Sequence, residues 1–195
     1  MGAVERLQED GARADARRNV ARLVDAAREA LAEVGIEVTA HEIARRAGVG
    51  IGTFYRRLSS REALLEAVLT DLLDEMTALA EDALTDPDPW AGFARFAHDY
   101  VRLRATSCGV REALGGTALD LAAPLARIRR RLRELVERAQ RAGVLRPDVG
   151  WRDVAFLLAA VLPGDHTLGL VTPKGQWRRN LGLTLDGLRH RHTSG

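Results

Sequence analysis

Five arginines stand close together in the N-terminal third of this 195-residue chain, in a stretch without any acidic residue. They lie between Ile43 and Arg61, although 29% of all residues in the chain are charged. Guanidinium groups bind phosphate through paired hydrogen bonds, and a group of them without nearby acids attracts polyanions. The alternative is a bias toward arginine throughout the chain, since Lys174 is the only lysine. The spacing favours a nucleic-acid contact near residues 43–61.

The remaining reactive side chains form no recognisable catalytic or metal-binding pattern. His98 and Asp99 are adjacent, as are Asp165 and His166, and neighbours on a helix point about 100° apart. The sequence contains no Walker loop, no nucleophile motif and no Glu-x-x-His pair for a helical di-iron site. We therefore expect no enzyme, no metal site and no cofactor, and an enzyme remains the main alternative class.

Two short helices joined by a tight turn are predicted to position the arginines. Thr39 and Glu42 have the spacing of a capping box at the start of the first helix, and Gly48 suits its end. The second helix is predicted over residues 50–57. This layout is that of a helix-turn-helix, which places its second helix in a major groove of DNA.

The surface of the second helix indicates how it would contact DNA. Small residues at its N-terminal end let the backbone approach bases closely, Ile51 suits a thymine methyl, and Thr53 suits a base edge. Tyr55 and Arg56 are better placed for phosphates, although packing or capping is the alternative for Thr53 and Tyr55. The predicted DNA contacts are Thr39, Arg45, Arg46, Gly50, Ile51, Gly52, Thr53, Tyr55, Arg56 and Arg61.

Helical periodicity also dominates the rest of the chain, and no comparable stretch of β alternation appears. Gly35 ends the predicted first helix, and Ser59 is the predicted N-cap of a long helix beginning near residue 60. Asp88 is the predicted cap of a helix that starts at Pro89. Further helical segments are predicted near residues 109–116, 121–142, 151–162 and 174–189.

The predicted helix over residues 121–142 carries a second group of arginines. Glu134 and Glu137 interrupt this group, so a solvated helix face is the favoured interpretation and a nucleic-acid contact is the alternative. Its members are Arg127, Arg129, Arg130, Arg131, Arg133, Arg138 and Arg141.

Residues 47–65, AGVGIGTFYRRLSSREALL, closely resemble the signature of TetR-type regulators, which commonly reads AGVSxGTxYxxFxSKEAL. The glycines, the aromatic residue, the capping serine and the acidic residue fall at the expected offsets. Gly50 replaces the frequent serine and Leu58 replaces an aromatic residue. The resemblance spans about residues 17–70 and implies that Thr53, Tyr55, Arg56 and Arg61 are operator contacts.

The resemblance also implies an all-α protein with two domains. A three-helix helix-turn-helix domain that binds double-stranded operator DNA is expected at residues 1–60. A larger helical domain that binds an effector and dimerises is expected at residues 61–195. The function implied is that of a transcriptional regulator, a repressor released from a palindromic operator by a small hydrophobic or aromatic effector. A DNA-binding protein without any effector is the alternative within this class.

An aromatic-rich helix in the C-terminal part is the candidate effector site, although an aromatic stripe also suits a helix core. Cys108 is either an oxidant sensor or packing. The predicted effector contacts are Trp90, Phe93, Phe96, Tyr100, Cys108, Leu119 and Phe156.

A short recognition helix reads only a few base pairs, so two copies about 34 to 36 Å apart are expected to bind together. We expect a homodimer through the last two helices, whose apolar residues could equally be intramolecular core. These residues are Phe156, Leu157, Ala160, Val161, Trp177, Leu181, Leu185 and Leu188.

The chain is expected to act in the cytoplasm and away from membranes. It has one cysteine, it begins without an apolar signal region, and no run approaches the roughly 18 apolar residues of a spanning helix.

Overall fold

The computed structural model describes residues 3–190, with side chains from residue 15 onward. Helices dominate the described residues, which confirms the all-α prediction. The helices are α1 (Ala3–Glu33), α2 (Ala40–Arg46), α3 (Ile51–Arg57), α4 (Arg61–Thr85), α5 (Pro89–Thr106), α6 (Cys108–Gly115), α7 (Ala122–Arg141), α8 (Trp151–Ala160) and α9 (Gln176–Leu188). A small antiparallel hairpin, β1 (His166–Thr167) and β2 (Leu170–Val171), lies between α8 and α9.

The chain forms two compact units. Of the described residues, 3–71 and 107–121 form the N-terminal unit, and 72–106 and 122–190 form the C-terminal unit. α6 belongs to the first unit because it packs on α1, where a Cβ at Gly109 would lie only 2.7 Å from Leu31 Cδ2. The division into domains at residues 60 and 61 stays a prediction about function.

The core of the N-terminal unit is formed where α1 packs against α2, α3 and α6. Gly35 follows α1 with a φ of +97°, a conformation that favours glycine. The next amide, of Ile36, donates to Glu112 Oε2 at 2.7 Å, and a Cβ at Gly35 would collide with the same carboxylate. Fully buried apolar residues of this unit include Leu23, Ala27, Leu31, Ile43, Phe54, Leu65 and Leu69.

In the C-terminal unit α5 packs on α7 and α9, and α7 packs on α8. Asp88 caps α5 as predicted, because its Oδ1 accepts the amides of Trp90 at 2.8 Å and Ala91 at 3.2 Å. Ion pairs join α7 to the second half of α4, with Arg127 bound to Asp74 and Arg131 bound to Glu81. The position of α7 is therefore fixed by its ion pairs with α4 as well as by its buried apolar residues.

Two local predictions are corrected by the structure. Ser60, rather than Ser59, caps α4, since Ser60 Oγ accepts the Ala63 amide at 3.0 Å. The hairpin lies between the helices predicted over residues 151–162 and 174–189, where no strand was predicted. Its strands are two residues long, too short to show alternation, and its turn places Leu168 and Gly169 at φ angles of 50° and 76°.

Candidate DNA interface

The turn between α2 and α3 is fixed by backbone hydrogen bonds that only a glycine at its centre readily allows. Gly48 has a φ of +67° and donates to the Arg45 carbonyl at 3.2 Å. The Val49 amide reaches back to the Ala44 carbonyl at 3.0 Å. These two bonds form a Schellman motif, which ends α2 at the predicted place and sets the direction of α3.

α3 is held in the N-terminal unit by one large side chain. Phe54 is fully buried, whereas Tyr55 is 57% exposed and Arg56 and Arg57 are also exposed. The helix therefore has one apolar anchor and presents its polar side chains to solvent. Phe54 also contacts the Tyr55 ring edge-on, at a centroid distance of 5.2 Å.

The glycines at the N-terminal end of α3 are not required by the fold. A Cβ added to Gly50 or to Gly52 would meet no atom within 4 Å. Gly50 is the N-cap with a φ of −72°, which any residue adopts. Packing and backbone conformation thus leave these two positions free to accept side chains, and Ile51 between them is half-buried.

The arginines of α2 are neutralised by carboxylates. Glu42 accepts from Arg45 Nη2 at 2.7 Å and from Arg46 Nε at 2.8 Å, and Arg46 Nη1 also bonds Glu33 Oε2 at 2.7 Å. The hydrogen bond from Arg45, followed by that from Arg46, lowers the pKa of Glu42 from 4.5 to about 2. Residues 43–61 contain no acidic residue, but in the folded chain the carboxylates of Glu42 and Glu33 bind Arg45 and Arg46.

This arrangement corrects two details of the sequence interpretation. Thr39 Oγ1 accepts the Glu42 amide at 3.2 Å, so the threonine half of the capping box forms, while the Glu42 side chain turns to the arginines. Arg45 and Arg46 were both expected to point outward. The Arg45 side chain is 72% exposed, but that of Arg46 is only 20% exposed.

Arg61 braces the loop between α1 and α2. Its Nε donates to the Val38 carbonyl, its Nη2 donates to the Ile36 carbonyl, and its Nη1 pairs with Glu62 Oε1 at 2.8 Å. Three of its donors are therefore used inside the N-terminal unit. The structure gives Arg61 a structural position that the phosphate assignment did not anticipate.

Arg56 and Arg57 are the cations of the motif that keep their guanidinium groups away from carboxylates in the described part of the chain. Arg56 Nη2 instead donates to Thr53 Oγ1 at 3.0 Å, which joins two predicted contacts on one helix face. Arg57 was omitted from the predicted contacts. Its place in the same acid-free run, beside Arg56, was the signal that would have included it.

A concave surface of about 470 Å³ gathers Thr39, Tyr55 and Arg61, although they come from three separate segments. The rest of its lining was not predicted to contact DNA, because Ser59 carried only a capping signal and His41 and Ser60 carried none. The complete lining is Glu37, Thr39, Ala40, His41, Tyr55, Ser59, Ser60, Arg61 and Glu62.

The predicted effector residues are only partly gathered. Trp90, Phe93, Phe96 and Tyr100 lie along α5, with ring centroids 5.8 Å apart for Trp90 and Phe93 and 6.0 Å apart for Phe96 and Tyr100. Phe93 and Phe96 are fully buried in the core. Of the other three predicted residues, Phe156 on α8 is 75% exposed, and Cys108 and Leu119 belong to the N-terminal unit.

One polar group beside these aromatics was missed by the sequence. Arg104, one turn after Tyr100, donates Nη1 to the tyrosine hydroxyl at 3.0 Å, and its Nε is buried without a hydrogen-bond partner in the described chain. Nothing in the spacing distinguished this arginine from the exposed ones.

Within residues 3–190, no helix has the length and apolar character needed to cross a membrane. The same residues contain no cluster of three or more His, Cys, Asp or Glu side chains that could hold a metal ion.

Comparison with known proteins covers both halves of the chain. Residues 23–68 match the family of bacterial regulatory proteins called tetR, and residues 88–190 match the C-terminal domain of SbtR-like transcriptional regulators. The HTH-type transcriptional regulator BetI 2 of Chromohalobacter salexigens is 32% identical over 165 residues, which is 78% of each chain.

Solved structures agree with this assignment. A TetR transcription regulatory protein from Mycobacterium vanbaalenii is 35% identical with a TM-score of 0.62, and the match covers 91% of this chain and 98% of that one. A TetR transcriptional regulator from Streptomyces coelicolor is 27% identical with a TM-score of 0.62, covering 87% and 97% respectively. With the helix-turn-helix geometry and both halves matched, this chain belongs to the TetR family of transcriptional regulators.

Proposed function

We propose that this regulator is a repressor that acts in the cytoplasm, binds a palindromic operator as a homodimer, and is released by a small hydrophobic or aromatic effector. Regulators of this family bind operator DNA, act as dimers and respond to small molecules. The observation that carries the proposal is the exposed N-terminal end of α3, where Gly50 and Gly52 serve no purpose in the fold.

Close approach of the backbone to DNA explains these glycines. A helix interior is destabilised by roughly 0.5 to 1 kcal/mol when glycine replaces alanine, so an open Gly52 in α3 carries a cost without a packing benefit. Without a Cβ, the first turn of α3 can lie against base edges, with Ile51 and Thr53 beside it. Tyr55, Arg56 and Arg57 then flank this turn, where they can bind phosphates.

Substitution Gly52→Ala tests this docking directly. We expect unfolding free energy to stay unchanged or to rise by roughly 0.5 to 1 kcal/mol, because the new methyl group meets nothing. Operator affinity, measured by fluorescence anisotropy on DNA selected from a random pool, should fall about tenfold or more. Gly115→Ala is the matched control, since Gly115 lies in the same unit and is equally open. Unchanged affinity in Gly52→Ala would contradict the proposed docking.

The phosphate contacts are tested by Arg56→Ala and Tyr55→Phe. Loss of the Arg56 contact should weaken binding to all sequences and reduce the slope of log affinity against log salt by about 0.9. Loss of the neutral Tyr55 hydroxyl should weaken binding without changing this slope, because no charge is removed. Arg141→Ala, which removes an exposed arginine of α7, is the control and should leave the slope unchanged. An unaltered slope in Arg56→Ala would remove Arg56 from the interface.

The dimer is proposed to form through exposed apolar residues of α8 and α9. Phe156 is 75% exposed, Leu157 is 40% exposed and Leu183 is 63% exposed, which is unusual for large apolar side chains on packed helices. Val161, Leu181 and Leu188 were also expected at the interface, but they are buried in the core of their own unit. A two-fold axis would pair the same patch from both copies.

Phe156→Ser should shift the protein toward monomer in analytical ultracentrifugation and weaken operator binding in parallel. Val34→Ser is the control, because Val34 is 49% exposed in the N-terminal unit. A Phe156→Ser protein that sediments as the native dimer would exclude this face.

The aromatic side chains of α5 support a hydrophobic or aromatic effector, and the unpartnered Arg104 Nε offers it a polar contact. We expect a ligand that stabilises the protein to lower operator affinity through a coupling of roughly 1 to 3 kcal/mol. A ligand screen that yields stabilisers without any loss of operator binding would instead favour a regulator without an effector.

A further inference from the structure

Four arginines converge on one groove of the C-terminal unit. Arg129, Arg130 and Arg133 of α7 and Arg152 of α8 line a cavity of about 510 Å³, which Ala126 and Trp151 complete. These six residues are called the arginine groove below. Its lining includes none of the predicted effector contacts, and for Arg129, Arg130 and Arg133 a nucleic-acid contact was only the less favoured interpretation.

The lining of the arginine groove contains no carboxylate. Acids on and around α7 bind other arginines. Asp74 pairs with Arg127, whereas Glu81 and Glu134 both pair with Arg131. Within the described residues none of the four groove arginines forms an ion pair. Four like charges around one concavity repel one another, and an anion in the groove would remove that repulsion.

One nearby acid is also engaged elsewhere. Asp153, two positions after Trp151, uses its Oδ2 to accept the Gly150 amide at 2.8 Å and so closes the N-terminus of α8. Asp153 keeps its negative charge, but within the described residues it forms no ion pair with a groove arginine.

Trp151 holds two of the cations in place. The guanidinium carbons of Arg133 and Arg152 lie 5.2 Å and 5.1 Å from its ring centroid, within the range of cation–π attraction. The indole is half-buried, so its remaining surface forms an apolar floor for the groove. Ala126 contributes only a methyl group to the lining and so takes up little of the cavity.

We propose that the arginine groove binds a small organic anion with two or more oxyanion groups, either phosphates or carboxylates, whose body packs on Trp151. Guanidinium groups bind both kinds of oxyanion in a bidentate manner. The size of the cavity fits a compact molecule. An extended nucleic acid fits less well, since the same helix presents Glu134 and Glu137 along the path that further phosphates would follow.

Binding is tested by isothermal titration of the full chain with sodium tripolyphosphate and, separately, with benzene-1,3,5-tricarboxylate. We expect saturable binding of one molecule per chain with at least one of these probes, and the responding probe identifies the oxyanion. Arg130→Ala/Arg133→Ala should weaken it about tenfold or more, because two charge-assisted contacts are lost. Trp151→Phe, which keeps an aromatic floor, should weaken it less.

Arg127→Ala/Arg141→Ala is the matched control, since it removes the same charge from the same helix outside the groove. Retention of binding in this control with loss in Arg130→Ala/Arg133→Ala supports the site. Equal loss in both variants would show general charge attraction and overturn the proposal.

Two further outcomes would also overturn it. One is the absence of saturable binding of either probe. The other is displacement of the probe by a short random-sequence DNA duplex whose affinity depends on Arg130 and Arg133, which would make the groove a nucleic-acid surface. The proposal is independent of the operator contacts, because no groove residue belongs to the N-terminal unit.

Discussion

Two arginine-rich regions of this protein look alike in sequence and differ in how their charges are used. In the helix-turn-helix, Arg45 and Arg46 are held by Glu42, three and four residues away on the same helix. On α7, Arg127 and Arg131 are held by acids of α4 that lie about fifty residues away in the chain. Glu42 is the local partner of the first group, and Glu33 of α1 adds a second partner for Arg46. The α7 arginines use acids of α4 together with the local Glu134 and Glu137.

The comparison teaches that an arginine count predicts a polyanion site only after the partners of each arginine are known. Among the residues that the structure describes, some arginines have no carboxylate partner: Arg56 and Arg57 on α3, and the four arginines of the arginine groove. The first pair flanks a protruding helix end, which suits DNA, whereas the second set lines a cavity, which suits a small anion. In the two proposals, arginine side chains therefore bind ligands of different shape: DNA on a helix surface and a small anion in a cavity.

The largest effect that would sharpen this comparison is expected from Arg61→Ala. Arg61 donates to two backbone carbonyls, so its removal should lower the free energy of unfolding by about 2 kcal/mol, measured by urea denaturation. Arg57→Ala, which breaks no internal bond, should leave stability unchanged. Equal stability of the two variants would show that Arg61 is not a structural arginine.

Glu42→Gln should strengthen DNA binding. Without the carboxylate, Arg45 is free to bind phosphate, while Arg46 keeps Glu33. We expect operator affinity to rise a few-fold and the salt slope to steepen by about 0.9, as one phosphate contact is added. Glu137→Gln on α7 is the control for the loss of one negative charge. An unchanged salt slope in Glu42→Gln would mean that Arg45 does not reach DNA.

A smaller effect is expected from Arg127→Ala on α7. The Arg127–Asp74 pair is partly exposed, with side chains 39% and 49% accessible, so its loss should cost about 0.5 kcal/mol of unfolding free energy. Arg130→Ala, which breaks no pair, should cost nothing. A loss of several kcal/mol in Arg127→Ala would show that α4 and α7 depend on this pair far more than its exposure suggests.

The smallest effect concerns pH. Because the pKa of Glu42 is lowered from 4.5 to about 2 in the folded chain, its contribution to stability is complete above pH 4.5 and is lost as the pH falls toward 2. The difference in unfolding free energy between the native protein and Glu42→Gln should therefore be constant between pH 7 and pH 5 and should shrink below pH 4.5. A difference that already changes between pH 7 and pH 5 would contradict this assignment.

Most of the fold was predictable because its signals are local. Gly35 and Gly48 end helices with positive φ angles, and Asp88 caps α5, as the sequence indicated. Such signals act over three or four residues, so they can be recognised without knowledge of the fold. The cap of α4 was misplaced by one residue because Ser59 and Ser60 are chemically equivalent.

The candidate sites were less predictable, because their composition depends on contacts between distant residues. The carbonyl partners of Arg61 lie more than twenty residues away, and the exposure of Phe156 depends on how α8 packs. Periodicity placed Leu181 on the apolar face of α9 and left Leu183 outside it, but it did not show whether that face is core or interface. The structure buries Leu181 and leaves Leu183 exposed.

Signals between near neighbours, namely periodicity, caps and glycines, are enough to identify a helical regulator with a helix-turn-helix. Which arginines remain available to a ligand depends instead on the folded chain. An arginine becomes structural when packing brings a carboxylate or a carbonyl within hydrogen-bonding distance, as for Arg46, Arg61 and Arg131. That distance is a property of the folded chain, because it joins residues that their spacing in the sequence does not relate.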